Sequence, residues 1–389
     1  MGIYSVKIGE IDTSLGSSGG RVVNVRTSSS HSFRTPARPI CSEEITSKNY
    51  LGYRGEISAP FGVLPLNING ERLQKFGMNN GTVKELGRTL QSLSDSTWLM
   101  PSFPVIQTDK ALSCERDKLH KVAFEMQTEI SGLDYICMPL VDGNITEFEA
   151  AVKDWSESAE RQGFGCVVQL DMKSDTENLG RRLDVLAAMS ETGAISIINL
   201  IYADPKNNPT QYAEVWSRRE SLNAIINCSE VPRGLGKGEI MSEIQTKLIS
   251  YGIDSISRKK NVLAQDAVKF LMSQPPPKDI GEIQNYNMAV HSASVKVGRD
   301  AYVKIEHDYC CGCSICRRKS IKELTESFAY KDNGEIEKRG MVYFSRIHDH
   351  QSDQAEMDRA RSFILSHEMN SYEASQNEEK EKLERLIDI

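Results

Sequence analysis

Three cysteines fall within six residues in Cys311-Gly-Cys313-Ser-Ile-Cys316, and the pair His348 and His350 follows Ile347 further on. The C-x-C and C-x-x-C spacings let neighbouring thiolates reach one tetrahedral centre, and a later imidazole supplies the fourth corner. A closed Cys3His set of this kind holds zinc as a structural staple and leaves no coordination position for activating water. The charged run Arg317-Arg318-Lys319 beside the thiols speaks against three reduced cysteines in an apolar core. His348 is the favoured fourth ligand, with His350, His307 and Cys310 as alternatives. Any catalysis must then be carried elsewhere in the chain.

The elements that would position such chemistry are legible in residues 134–254. Four apolar, β-branched runs stand at Tyr135–Val141, Gly165–Leu170, Ala194–Ile201 and Asn223–Asn227. Between them come amphipathic stretches with helical spacing: Phe148, Val152, Trp155 and Ala159; Leu179, Leu183, Leu186 and Met189; residues 210–222; and Met241, Ile244, Leu248 and Tyr251. Strand and helix alternating at intervals of roughly 30 residues predict right-handed βαβ units and a parallel sheet buried on both faces. The expected fold class is α/β, a (β/α)8 TIM barrel with a zinc-binding insertion near the C-terminus. Residues 1–60, rich in Gly, Ser and Thr, read as a small antiparallel strand-and-loop lead-in, 61–300 as the barrel, 301–352 as the zinc subdomain and 353–389 as terminal helices. The Pro275-Pro276-Pro277 run breaks the helix expected before it.

Barrels place functional groups where their strands end, which singles out Asp142, Gln169, Asp171, Asp204 and Asp254. Asp142 and Gln169 offer a carboxylate and an amide at neighbouring strand ends, a set of acceptors and a donor for a polar ligand. Gly234-Leu-Gly236-Lys237 lacks the spacing and the hydroxyl residue of a P-loop, so nucleotide hydrolysis is not expected.

Composition bounds the partners. The 389 residues are 39% hydrophobic and 26% charged, as in ordinary globular proteins. No run reaches the ~18–20 apolar residues of a membrane span, and the N-terminus carries no signal-peptide pattern. A cytoplasmic protein without a membrane partner is the expectation. Nine cysteines, an odd number with four clustered at 310–316, fit a metal and reduced thiols better than a disulfide frame. A net charge of −7 does not advertise nucleic acid, although the acidic tail accounts for part of it. Basic runs at Arg258-Lys259-Lys260 and Arg317–Lys319 are available for phosphates flanking a flipped nucleotide.

The zinc segment resembles that of the queuine/archaeosine tRNA-guanine transglycosylase family. Cys311, Cys313 and Cys316 match the three thiols, Ser320–Leu324 the start of the following helix, and Ile347-His348-Asp349 a turn bearing the histidine. Thr35-Pro36, Val167-Val168-Gln169 with Leu179-Gly-Arg181, and Gly234-Leu-Gly236-Lys237 with Gly252-Ile-Asp254 follow in the family's order. The resemblance implies a barrel enzyme that exchanges guanine through a covalent aspartyl intermediate. It makes Asp254 the nucleophile and Asp95 the second, acid/base carboxylate, and sets Asp142 and Gln169 where the family binds the base edge.

Departures narrow this expectation. The Asp-Ser-Gly-Gly-Phe-Gln block is absent, with Asp95-Ser96 nearest and Asp109 as a second choice, and Ile198-Asn199-Leu200 replaces Gly-Gly-Leu. A divergent barrel of this length looks more like the DNA-modifying branch, inserting a 7-deazaguanine such as preQ0 into DNA. The alternatives are exchange in tRNA, a noncatalytic RNA-binding subunit (an alternative register sets Ser257 at the catalytic position), or an unrelated zinc-stapled barrel enzyme. Assembly as a dimer or within a modification complex is compatible with each.

Overall fold

The computed structural model describes residues 3–14, 19–27, 32–41, 59–68, 102–108, 116–130, 133–232, 242–258, 286–290, 293–297, 313–316, 323 and 338–387. Strands β1 (Ile3–Ile11), β2 (Arg21–Thr27) and β3 (Ser32–Arg34) form the antiparallel lead-in expected from the N-terminal composition. Parallel strands then begin. β4 (Ile40–Cys41), β5 (Gly62–Ile68) and β6 (Ser102–Thr108) form one sheet. β7 (Tyr135–Cys137), β8 (Gly165–Asp171), β9 (Ile197–Ile201), β10 (Ile225–Val231) and β11 (Ser255–Arg258) form a second, paired in chain order.

The two sheets meet at both edges. Ala37, just before β4, bridges in parallel to Ser255 of β11, and its N–H donates to the Asp254 carbonyl at 2.9 Å. At the other seam β6 lies beside β7, and the Gln169 side chain of β8 reaches across to the Ile106 carbonyl at 3.1 Å. Eight parallel strands in chain order with the last returned to the first is the order of a (β/α)8 barrel.

The outer layer contains α1 (Arg116–Thr128), α2 (Ile145–Arg161), α3 (Thr176–Glu191), α4 (Pro209–Ser217) and α5 (Ser242–Ser250), each preceding the next strand. Helix α2 starts where Asn144 Oδ1 accepts from the Glu147 N–H, and it buries the expected stripe of Phe148, Val152, Trp155 and Ala159. Helix α3 is capped by Asp175 and buries Leu179, Leu183 and Leu186. At the β6–β7 seam the Gln127 amide of α1 bonds both the N–H (2.7 Å) and the carbonyl (3.0 Å) of Cys137, satisfying a strand edge with a side chain.

Beyond the barrel stand the hairpin β12 (Tyr286–Val290) and β13 (Ala293–Val297), then α6 (Lys338–Leu365) and α7 (Met369–Ile387). These last helices lock onto the lead-in. Asp12 Oδ2 accepts from the Met369 N–H at the start of α7 at 2.8 Å, and Arg361 of α6 donates to the Thr35 and Pro36 carbonyls. Arg38 pairs with Asp353 at 3.1 Å. Two expected boundaries therefore move. The barrel begins near residue 37, before the boundary expected at 60, and the one expected at 352/353 falls inside α6.

Gly20 shows how closely these parts approach. A Cβ there would overlap Ile364 of α6, so Gly20→Val is expected to cost about 1–3 kcal/mol by overpacking, read as a lower urea midpoint. Between α6 and α7 the buried Glu356 accepts from Gln376 Nε2 at 2.7 Å, with Arg359 3.8 Å from its other oxygen. Burial raises its carboxyl above the usual 4.5. A folded value above the unfolded one gives stability that is complete in acid and is lost as pH rises through the folded value. Glu356→Gln, neutral throughout, is expected to match the parent near about pH 4 and exceed it at about pH 8, by thermal unfolding.

Candidate functional site

Cys313 and Cys316 bracket a tight turn, and His348 lies on the buried face of α6. His348 Nδ1 is 3.4 Å from Cys313 Sγ and 3.2 Å from Cys316 Sγ, and all three ligand atoms fall within 4.8 Å of one another. Tetrahedral zinc with its usual bond lengths separates sulfur and nitrogen ligands by about 3.5 Å, so these atoms already stand close to three corners of a coordination sphere. The group can hold a metal ion. Gln351, one turn beyond His348, accepts from the Ser314 N–H at 2.9 Å and ties the thiol turn to the helix. His350 is also buried but lies outside this group, which favours His348 among the histidines described. The histidine sits within a 28-residue helix instead of the turn expected for it. Cys311, the third expected thiol, lies outside the described residues, as do Cys310 and His307.

Asp254 is placed differently from its expected role. It follows the α5 terminus, where Gly252 takes a left-handed φ of 82° and the Ile253 N–H donates back to the Leu248 carbonyl. Asp254 therefore precedes β11 and lies at the N-terminal end of the barrel, whereas chemistry in such barrels lies at the C-terminal end. Its carboxylate is fully buried and accepts from Thr35 Oγ1 at 2.9 Å, the Ile226 N–H at 2.7 Å, Arg21 Nε at 3.2 Å and Arg21 Nη2. Burial pushes this carboxyl up, while Arg21 and the other donors pull it down. With four donors aimed at two oxygens, the ionised form is the one the site holds. A carboxylate so occupied cannot attack a sugar, and the nucleophile assignment is withdrawn.

The other strand-end residues divide similarly. Asp171 closes β8 and accepts from the Lys173 N–H at 2.9 Å; Asp204 accepts from the Lys206 N–H at 2.9 Å. Both shape turns. Asp142 is exposed at the β7–α2 turn, which Arg182 holds by donating to the Val141 and Gly143 carbonyls. Gln169 is buried, and its Nε2 donates to the carbonyls of Ile106 and Met138. The Gln169 amide is thus engaged with the barrel backbone, while Asp142 stands exposed at a turn. Asp95, Asp109, Arg317–Lys319 and Gly234–Lys237 lie outside the described residues, and so does the Arg258 side chain.

What the sequence reading missed is a polar layer inside the barrel. Gln169, Asn199, Asn227 and Ser255 occupy matched positions on β8, β9, β10 and β11. Asn199 donates to Gln169 Oε1 (3.2 Å) and Ser229 Oγ (2.9 Å), Asn227 donates to Asn199 Oδ1 (2.7 Å), and Ser255 and Ser257 donate to Asn227 Oδ1 (2.7 and 2.9 Å). Branched aliphatic residues usually fill this volume. The available signal was the alternation of polar residues at 227 and 229 and at 255 and 257, the period of a strand with one polar face. Glu230 adds a second anomaly. It takes a left-handed φ of 60° where the β10–β11 register shifts, a bulge at the strand's C-terminal end of the kind that re-aims side chains near functional sites. Three further buried thiols are held protonated, burial pushing Cys166 and Cys228 up to about 12 and Cys137 higher still.

No family model and no curated protein matches the chain. Among solved structures it is similar to the tryptophan synthase α-subunit of Pyrococcus furiosus (13% identity, 61% of this chain and 95% of that one, TM-score 0.36). It is also similar to the YdjI aldolase of Escherichia coli K12 (10% identity, 62% and 82%, TM-score 0.39). At these scores neither likeness bears on function, and the fold rests on the order of the strands. Among the described residues no helix is long and apolar enough to cross a membrane.

Proposed function

We propose that this chain is a zinc-stapled barrel of the guanine-transglycosylase kind that takes part in exchanging guanine for a 7-deazaguanine such as preQ0 in nucleic acid, DNA in preference to tRNA. The observation that carries the reading is the Cys313–Cys316–His348 group, with the spacing of a structural zinc knot, attached to a parallel α/β barrel with an amide-lined interior. Zinc would be held by these side chains together with Cys311, closing the site and leaving it a structural role.

In base exchange a carboxylate oxygen attacks C1′ of the nucleotide and the C1′–N9 bond breaks. Its electron pair stays on the leaving guanine, which takes a proton from an acid. The incoming base, deprotonated at N9, then attacks C1′ and releases the carboxylate. Asp254 is excluded from that role by its burial and its bonds to Arg21. Asp95 is then the sequence candidate for a carboxylate in the reaction.

A second reading has its own support. Ser257, the residue that an alternative register aligns with the nucleophile, faces the barrel interior with a hydroxyl, as expected of a noncatalytic nucleic-acid-binding subunit. One experiment separates the two. Zinc-loaded protein is incubated with DNA or tRNA carrying labelled guanine, and preQ0 is added. Release from DNA supports exchange, and loss of release in Asp95→Ala supports the carboxylate. Absence of release from both, with tight association to a catalytic relative, supports the subunit. Neither release nor association would remove both readings.

A further inference from the structure

Helices α1 and α2 leave a cleft between them on the outer layer of the barrel, about 590 Å³ in volume and within the size range of small-ligand sites. Its lining divides by chemistry. His120 and Phe124 stand one turn apart on α1, and Trp155 faces them from the buried stripe of α2. Both α1 rings meet the indole nearly at right angles, His120 at 5.8 Å and 85°, Phe124 at 5.2 Å and 84°. His120 and Phe124 are half-buried and Trp155 is 5% exposed, so these rings form the floor. The rim carries the exposed carboxylates of Glu125, Glu147 and Asp154 against a single ammonium, that of Lys121, 3.9 Å from Glu125.

Two features ask for a ligand. Aromatic faces are negative in their quadrupole and the rim adds formal negative charge, so the cleft favours a cation. The Trp155 indole N–H, closed to solvent, finds no acceptor among the described residues, whereas buried indoles usually find one. An occupant that completes the cleft therefore brings both a cation and a neutral oxygen acceptor. A guanidinium fits the rest of the lining. Its plane stacks on aromatic rings while its fork of N–H groups meets carboxylates, which a quaternary ammonium without donors cannot do. A peptide supplies the acceptor in the same residue, through its main-chain carbonyl.

We propose that the α1–α2 cleft binds an arginine side chain presented by a partner protein. The guanidinium lies on the aromatic floor facing the Glu125 and Asp154 carboxylates, and a main-chain carbonyl of the partner accepts from Trp155 Nε1. The site is outside the barrel interior and rests on no part of the base-exchange reading.

The probe is N-acetyl-arginine N-methylamide, which carries the cation and the carbonyls without terminal charges. It is titrated into full-length, zinc-loaded protein by calorimetry and followed by the Trp155 indole N–H resonance, assigned through Trp155→Phe. Saturable binding that shifts this resonance is expected, about tenfold tighter than for the citrulline analogue, which keeps the shape and loses the charge. Asp154→Asn, an exposed change that should leave the unfolding midpoint unaltered, is expected to weaken binding several-fold, and Lys121→Gln to strengthen it by releasing Glu125. Free arginine sets an α-carboxylate against the acidic rim and should bind more weakly. If it binds more tightly, the occupant is a free metabolite and the partner assignment falls. Equal affinity for the citrulline analogue, unchanged binding in Asp154→Asn, an unmoved Trp155 resonance at saturation, or no binding up to about 10 mM would overturn the site.

Discussion

Replacing Arg21 with alanine is expected to lower stability by about 3–5 kcal/mol, the cost of stripping a fully buried carboxylate of its partner. The guanidinium bonds Asp254 through Nε and Nη2 and also donates to the carbonyls of Arg219 (2.7 Å), Leu222 (2.9 Å) and Ala224 (2.7 Å). One side chain from β2 thereby ties the α4–β10 loop to the start of β11. Removing it takes a donor from three carbonyls and leaves the buried carboxylate its bonds to Thr35 and the Ile226 N–H but no cation, in a volume closed to water. Asp254→Ala should be comparably damaging, because the guanidinium is then buried with its charge uncompensated. A double replacement, Arg21→Met with Asp254→Leu, should recover much of the loss, since an apolar pair imposes no charge desolvation. Urea unfolding of the three variants reads this directly. If Asp254→Ala unfolds like the parent yet abolishes exchange, Asp254 is not a structural anchor and its carboxylate is chemical after all.

That pair also shows where the sequence was legible and where it was not. The alternation of buried β-branched runs with amphipathic helices between residues 134 and 254 is a period signal, and strands β7–β10 and helices α2–α5 follow it. The register of Asp254 was not readable from the same signal. Ser255-Ile256-Ser257-Arg258 alternates polar and apolar residues, unlike the continuous apolar runs of the preceding strands, so by pattern Asp254 reads as the end of a strand instead of its beginning. The alternation has a cause. Ile256 is buried, while Ser255 and Ser257 bond Asn227 inside the barrel. Gly252 after Tyr251 was the local cue available, a helix stop with left-handed φ that puts whatever follows at a strand's N-terminal end. Arg21 could not have been paired with Asp254 from sequence, because more than two hundred residues separate them and no periodicity spans that gap. The two expected thiols and the histidine that fall on described residues were placed by ligand chemistry alone, which depends on short spacings and little on the surrounding fold.

Removal of the zinc proposed for the Cys313–Cys316–His348 group is expected to give the second large effect. Without an ion, the Cys313 and Cys316 thiols and the His348 imidazole share one small volume beneath α6 with Sγ···Nδ1 contacts in place of metal bonds, and that helix also holds the lead-in through Arg361 and Asp353. Chelation is therefore expected to cost about 3 kcal/mol or more and to loosen α6 against residues 35–38, seen as faster amide exchange across 338–365. Elemental analysis should find one zinc per chain. His348→Ala should lose the zinc and reproduce the chelated state, whereas His350→Ala should disturb packing but keep the ion. Because the ligands bind as thiolates and neutral imidazole, acid should release the metal, and the gap in stability between loaded and chelated protein should close as pH falls. Zinc retained in His348→Ala at full stoichiometry would show that another residue closes the site and that the position of His348 beside the two thiols serves packing alone.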